Sequence, residues 1–143
     1  MADINHTFTI KAPLTAVFNG ITTPNGLDTW WTRTSEGNPI VGTTYHLDFG
    51  EGYQWEAIVT KSKLNKLFEL QMSKADKEWT NTKIGFSLFS KNDVTEVKFY
   101  HKGWHNKSEN FKFSSYCWAM YLRILKRHIE HGEKVPYEKR LAV

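Results

Sequence analysis

Hydrophobic and polar positions along this chain follow two different periods, and the period changes twice. Near the start, "HTFTI" sets Phe8 and Ile10 against polar neighbours, which predicts a short strand ended by Pro13. "PLTAVFNGI" then spaces Leu14, Val17, Phe18 and Ile21 along one helix face, with a proline opening the segment and Gly20 near its end. A second short helix is predicted from Pro24 to Trp31. Helices this short are unstable alone and must pack on something larger.

From Gly42 the period is two. "TTYHLDFG" places Tyr45, Leu47 and Phe49 on one face, and "EGYQWEAIVTK" does the same with Tyr53, Trp55, Ala57 and Val59. The pattern continues through Phe68, Leu70 and Met72, then Ile84, Phe86 and Leu88, then Thr95, Val97, Phe99 and His101. Five strands in succession, joined by the short links "EG", "KLNK", "KADKE" and "KND", predict an antiparallel meander. With the first strand, six strands are expected. Glu56, Glu69, Gln71 and Asp48 alternate with the apolar set and read as the wet outer side of the sheet.

After "GWHNK" a helical period holds from about Ser108 to His131 and is closed by Gly132 and Pro136. At about 1.5 Å per residue this helix exceeds 30 Å, enough to cross a small sheet. Its apolar side spans roughly 200° on a wheel of about 100° per residue, twice what a surface helix needs. Ser114, Cys117, Tyr121 and His128 line up in the middle of that side. A buried polar group left unpaired costs about 1–3 kcal/mol, so these tips need nearby backbone, water or a ligand.

Composition sharpens the picture at two points. Aromatic residues make up 15% of the 143, with six Trp, six Tyr and nine Phe, and Trp30 and Trp31 stand side by side in "LDTWWTRT", where one core cannot easily bury both. The formal charge of +4 is carried mostly by the C-terminal helix region. A nucleic-acid reader shows a denser basic stripe, so no nucleic-acid partner is expected. No apolar run reaches the roughly 20 residues of a membrane span, and the first residues lack a secretory pattern, which predicts a cytoplasmic protein without membrane insertion. The single Cys117 excludes an intrachain disulfide and a cysteine-cluster zinc site.

The order strand, two short helices, five antiparallel strands and one long C-terminal helix, together with "WW", "HKGW" at the last strand's end and "WAMYLRILKRHIEHG", resembles the START-like helix-grip superfamily. More narrowly it resembles the branch of homologues of the C-terminal domain of the heat-shock ATPase activator. The resemblance covers the whole chain as one domain, residues 1–143. It implies an α+β helix-grip fold: a curved, six-stranded antiparallel sheet wrapped around the long helix, with a cavity between them closed at one end by the short helices. It also implies that one of Trp30 and Trp31 anchors the short helices while the other stands at the cavity mouth.

Candidate chemistry concentrates on that cavity. The inward aromatic set Tyr45, Trp55, Phe68, Phe86 and Phe99, facing Ser114, Cys117 and Tyr121, matches a mostly apolar pocket with a few orienting polar groups. With Trp30, Trp31 and His101, which shares a strand face with Val97 and Phe99, these are the expected ligand-binding residues. His101 with Cys117 lacks an orienting third group, so no catalytic residue is assigned. His128-x2-His131 and His101-x3-His105 lack a completing ligand, so neither metal nor cofactor is expected. The leading expectation is a binding protein for a small apolar, lipid-like or aromatic molecule. Two alternatives stand beside it: a stress-response co-chaperone that engages a heat-shock ATPase, which follows from the resemblance alone, and a cavity enzyme using His101 and Tyr121 as acid and base.

Overall fold

The computed structural model describes residues 2–143. The chain runs β1 (Ala2–Ile10), α1 (Leu14–Thr22), α2 (Pro24–Trp30), β2 (Thr34–Glu36), β3 (Thr44–Asp48), β4 (Gln54–Lys63), β5 (Leu67–Lys74), β6 (Lys83–Lys91), β7 (Val94–Trp104), α3 (Glu109–His131) and a closing 3₁₀ turn (Tyr137–Ala142). All strands join one antiparallel sheet in the order β1-β7-β6-β5-β4-β3-β2.

The sheet therefore has seven strands, not six. The additional one, β2, pairs Thr34, Ser35 and Glu36 with Asp48, Leu47 and His46. Three residues carry no readable alternation. This strand is held by its neighbours: Ser35 Oγ donates to Asp28 Oδ1 (2.9 Å), and the Arg33 guanidinium pairs with Asp48 (2.9 Å).

The period-two faces point as the alternation predicts. Tyr45, Leu47, Ala57, Val59, Phe68, Leu70, Met72, Ile84, Phe86, Leu88, Val97 and Phe99 are all buried. They meet the apolar side of α3, from which Phe111, Trp118, Leu122, Ile124 and Leu125 are buried. Ser108 opens α3 by accepting from the Phe111 amide (3.1 Å), and Gly132 ends it in the left-handed region (φ 70°) that a Cβ would strain. Near its end, Glu130 accepts from the Lys11 amide (2.8 Å) and pairs with Lys126 (2.9 Å), which fastens the helix to the end of β1.

One outward residue breaks the alternation rule. Glu69 was expected on the wet side, yet its side chain is fully buried. Its neighbour across β6 is Gly85, and next to that lies Tyr100 on β7. A Cβ at Gly85 would stand 2.1 Å from the Tyr100 ring. The missing side chain lets Tyr100 fold flat across the glycine and donate to Glu69 Oε2, while Thr60 Oγ1 donates to Oε1 (2.7 Å). Burial works to raise the Glu69 pKa, but these hydrogen bonds and the charges of Lys61 and Lys102 outweigh it and hold the carboxyl below its usual range.

Candidate functional site

The two adjacent tryptophans at the C-terminus of α2 are, against the expectation from sequence, both buried, with their rings stacked 5.9 Å apart and both set against Trp118. Trp30 has no exposed surface and donates from Nε1 to the Gly20 carbonyl (2.9 Å), which locks α2 onto α1. Trp31, one residue past the helix, is 3% exposed and lies on the floor, not at the mouth, of a cleft of about 460 Å³ between α3 and the β3–β4 end of the sheet. That size falls within the ~300–1,000 Å³ typical of small-molecule pockets.

The cleft is lined mostly by turns and connections and by one face of α3. Phe49 and Tyr53 come from the β3–β4 turn, and Trp55 from the start of β4. Asp76 and Trp79 come from the β5–β6 connection. The face of α3 supplies Asn110, Phe113, Ser114, Cys117, Trp118 and Tyr121, and the closing turn adds Tyr137 and Leu141. Over the eleven residues from Asn110 to Tyr121 the helix advances about 16 Å, which sets the length of the cleft.

Five of these side chains form a closed circuit. Ring centroids are 5.4 Å apart from Trp31 to Phe49, 5.2 Å to Trp55, 5.2 Å to Trp79, 5.7 Å to Trp118 and 5.3 Å back to Trp31. Most links are tilted or edge-on, the geometry that aromatic quadrupoles favour, and each such pair adds about 0.5–1.5 kcal/mol beyond area burial.

His101 stands behind this circuit. It has no exposed surface and contacts the rings of Trp79 (4.6 Å) and Trp104 (4.8 Å). Trp118 Nε1 donates to His101 Nδ1 (3.0 Å), so Nδ1 carries the lone pair and Nε2 the proton. Nε2 then donates to Thr82 Oγ1 (2.7 Å), which donates onward to the Trp79 carbonyl. Burial presses the imidazole pKa down to about 3, so it is neutral at ordinary pH. Neither ring nitrogen is left to serve a ligand or a reaction in the cleft.

The polar tips of α3 are partnered in part. Ser114 accepts from Trp79 Nε1 (3.2 Å) and donates to Asn110 Oδ1 (3.1 Å). Cys117 and Tyr121 face the cleft, and burial raises both: the thiol above its ordinary value, the phenol up to about 12. Both are therefore protonated at neutral pH, as orienting donors rather than bases. His128 lies away from the cleft, its Nδ1 against the Glu133 carbonyl (2.9 Å). Among the described residues no group of three or more His, Cys, Asp or Glu side chains is placed to hold a metal ion, and no helix is long and apolar enough to cross a membrane.

The structure thus brings Trp31, Trp55, Ser114, Cys117 and Tyr121 together on the cleft. Trp30, Tyr45, Phe68, Phe86 and Phe99 lie in the closed core instead, with Tyr45 Oη bound to the Thr22 carbonyl (2.6 Å). The helix meets β7 directly, Phe99 lying 4.6 Å from Trp118, and the opening lies toward the turn end of the sheet. Trp79 was missed because it sits in a polar loop. A lone tryptophan amid "KADKEWT" was the available signal. Tyr137 and Leu141 follow the helix stop and carry no periodicity at all.

Comparison with known proteins places this architecture. The family model described as "Activator of Hsp90 ATPase homolog 1-like protein" matches residues 11–130. The chain belongs to this family. It shares the START-like helix-grip fold with it. The solution structure of the Aha1 dimer from Colwellia psychrerythraea is similar at 33% identity and a TM-score of 0.85, over 93% of this chain and 99% of that one. The protein SSP2350 from Staphylococcus saprophyticus shares the fold at 19% identity, TM-score 0.80, over 94% and 96% of the two chains. CalU16 from Micromonospora echinospora does so at 18% identity, TM-score 0.72, over 96% and 82%. No curated protein matches the chain in sequence.

Proposed function

We propose that this member of the activator-homologue family binds a small, largely apolar molecule with aromatic character in the cleft between α3 and the β3–β4 end of the sheet. The carrying observation is the closed circuit of Trp31, Phe49, Trp55, Trp79 and Trp118, all of which line the cleft. Trp31 and Trp118 belong to the floor, almost without exposed surface, while Tyr53 and Phe113 stand about 60% exposed at the lip. An aromatic floor, a few neutral hydroxyl and thiol donors and an open lip support reversible binding of a guest rather than chemistry on it. Native mass spectrometry of freshly purified protein, followed by denaturation and identification of what is released, tests this reading. A stoichiometric apolar compound is expected. Empty protein that also fails to take up any aromatic probe would contradict it.

The lip supports a second reading. Tyr53, Phe113, Tyr116 and Leu141 are all more than half exposed, and three of them border the cleft. Clustered exposed apolar side chains are a mark of protein docking, and the family description names the ATPase of a heat-shock chaperone. On this reading ATPase stimulation by the wild-type protein falls several-fold in Phe113→Ser; an unstimulated ATPase at saturating concentration removes it.

A further inference from the structure

We infer that the guest is an organic monocation, an amine or quaternary ammonium carrying an apolar tail, with its charged end at the Asp76–Trp79 end of the cleft. The inference rests on the binding role proposed for the cleft and adds the charge class of the ligand.

Three observations carry it. The first is the charge of the lining. The protein has a formal charge of +4, yet no Lys, Arg or His lines the cleft, and Asp76 is its only formally charged residue. The second is the state of that carboxylate. Asp76 Oδ1 accepts the Glu78 and Trp79 amides (3.1 and 3.0 Å), which fixes the side chain beside Trp79, while Oδ2 accepts no hydrogen bond among the described residues. A second carboxylate stands at the same end, where Ser108 Oγ donates to Glu78 Oε1 (2.6 Å).

The third is the aromatic circuit. The faces of Trp, Tyr and Phe rings are negative, and a cation within ~6 Å of a centroid gains about 0.5–2 kcal/mol per good contact once desolvated. Phe49, Trp55 and Trp79 are the half-buried members of the circuit and offer ring surface to a guest in the cleft, while Trp31 and Trp118 lie nearly buried beneath them. Ammonium groups bearing methyls suit such a site because they are weakly hydrated and offer no hydrogen bonds for indole faces to replace.

An anionic guest such as a fatty acid is disfavoured for the complementary reason. It would bury its carboxylate on a lining without a cation. The Arg140 guanidinium, packed against Tyr137, is 4% exposed and spends its donors on the carbonyls of Val135, Thr32 and Asp28, and Arg33 is paired with Asp48 (2.9 Å). The Tyr121 and Tyr137 hydroxyls mark the opposite end, where the tail or a neutral polar group of the guest would lie.

The test compares three phenyl-bearing probes of different charge: benzyltrimethylammonium, its uncharged isostere neopentylbenzene, and the anion 3-phenylpropionate. Binding is followed by tryptophan emission, since four of the six tryptophans line the cleft. The cation is expected to bind about tenfold or more tighter than the isostere at low ionic strength, with the gap narrowing in salt. Asp76→Asn keeps an oxygen to cap the turn and should weaken the cation several-fold while leaving the isostere unchanged. Trp55→Leu should likewise cost the cation more than the isostere. Equal or tighter binding of the isostere or the anion, or an equal effect of Asp76→Asn on all probes, overturns the inference and leaves the apolar binding role standing. Failure of all three probes to bind removes both.

Discussion

At the scale of single residues, His101 shows how a buried polar side chain can hold the walls of a cleft that it does not line. Its two nitrogens connect Trp118 of the long helix to Thr82 and, through it, to the carbonyl of Trp79. It thereby fixes two of the five rings in the aromatic circuit and is a positioning residue. Its pKa falls from 6.5 in an ordinary setting to about 3 in the fold. The folded protein therefore binds fewer protons than the unfolded chain between those values. Stability from this residue is complete above pH 6.5 and is lost as pH falls toward 3, with a slope of up to ~1.4 kcal/mol per pH unit. Between pH 6.5 and 4.5 the urea midpoint of the wild type should drop. In His101→Asn, already less stable at neutral pH, it should stay nearly level over the same window. Parallel pH profiles for the two proteins would show that the imidazole is not held neutral.

At the scale of elements, the closing 3₁₀ turn matters more than its length suggests. Arg140 reaches from it to the carbonyls of Asp28 and Thr32 at the end of α2, and Tyr137 Oη donates to the Phe49 carbonyl (2.9 Å) at the β3–β4 turn. The turn so bridges the short helices and the sheet, and Tyr137 and Leu141 become one wall of the cleft. Arg140→Ala leaves buried carbonyls unpaired, which should cost about 1–3 kcal/mol in a urea melt, and should weaken aromatic probes by loosening that wall. Unchanged affinity would mean that the turn is a structural strap only.

The same elements show what a sequence reveals. Each strand long enough to alternate, and each helix with a cap and a stop, could be read directly: Pro24 at the head of α2, Ser108 and Gly132 at the two ends of α3. β2 could not, because three residues paired by their surroundings leave no pattern. Glu69 misled because alternation gives the direction of a side chain and not what covers it; the cover is Tyr100, admitted by the bare Gly85. On the site, Trp31, Trp55, Ser114, Cys117 and Tyr121 were legible as inward or unpaired positions. Trp79, Asp76 and Tyr137 were not, since loops and terminal turns place side chains by tertiary contact alone.

At the scale of the molecule, an antiparallel sheet closes on one helix and leaves an opening toward one end. At β7 the helix packs on the sheet through Trp118 and Phe99, while Phe86 meets Trp30 of α2 and Phe68 meets Tyr45 of β3, all buried in the core. Toward the β3–β4 turn the sheet and α3 leave a gap lined by rings from six different segments. The most direct measurement is an NMR titration of the six tryptophan indole resonances with an aromatic ammonium probe. The resonances of Trp31, Trp55, Trp79 and Trp118 should shift most, while those of Trp30 and Trp104, which pack behind Trp31 and Trp79 without lining the cleft, should move less. Saturating probe that moves none of the four, or moves Trp30 and Trp104 more, would contradict the cleft as the binding site.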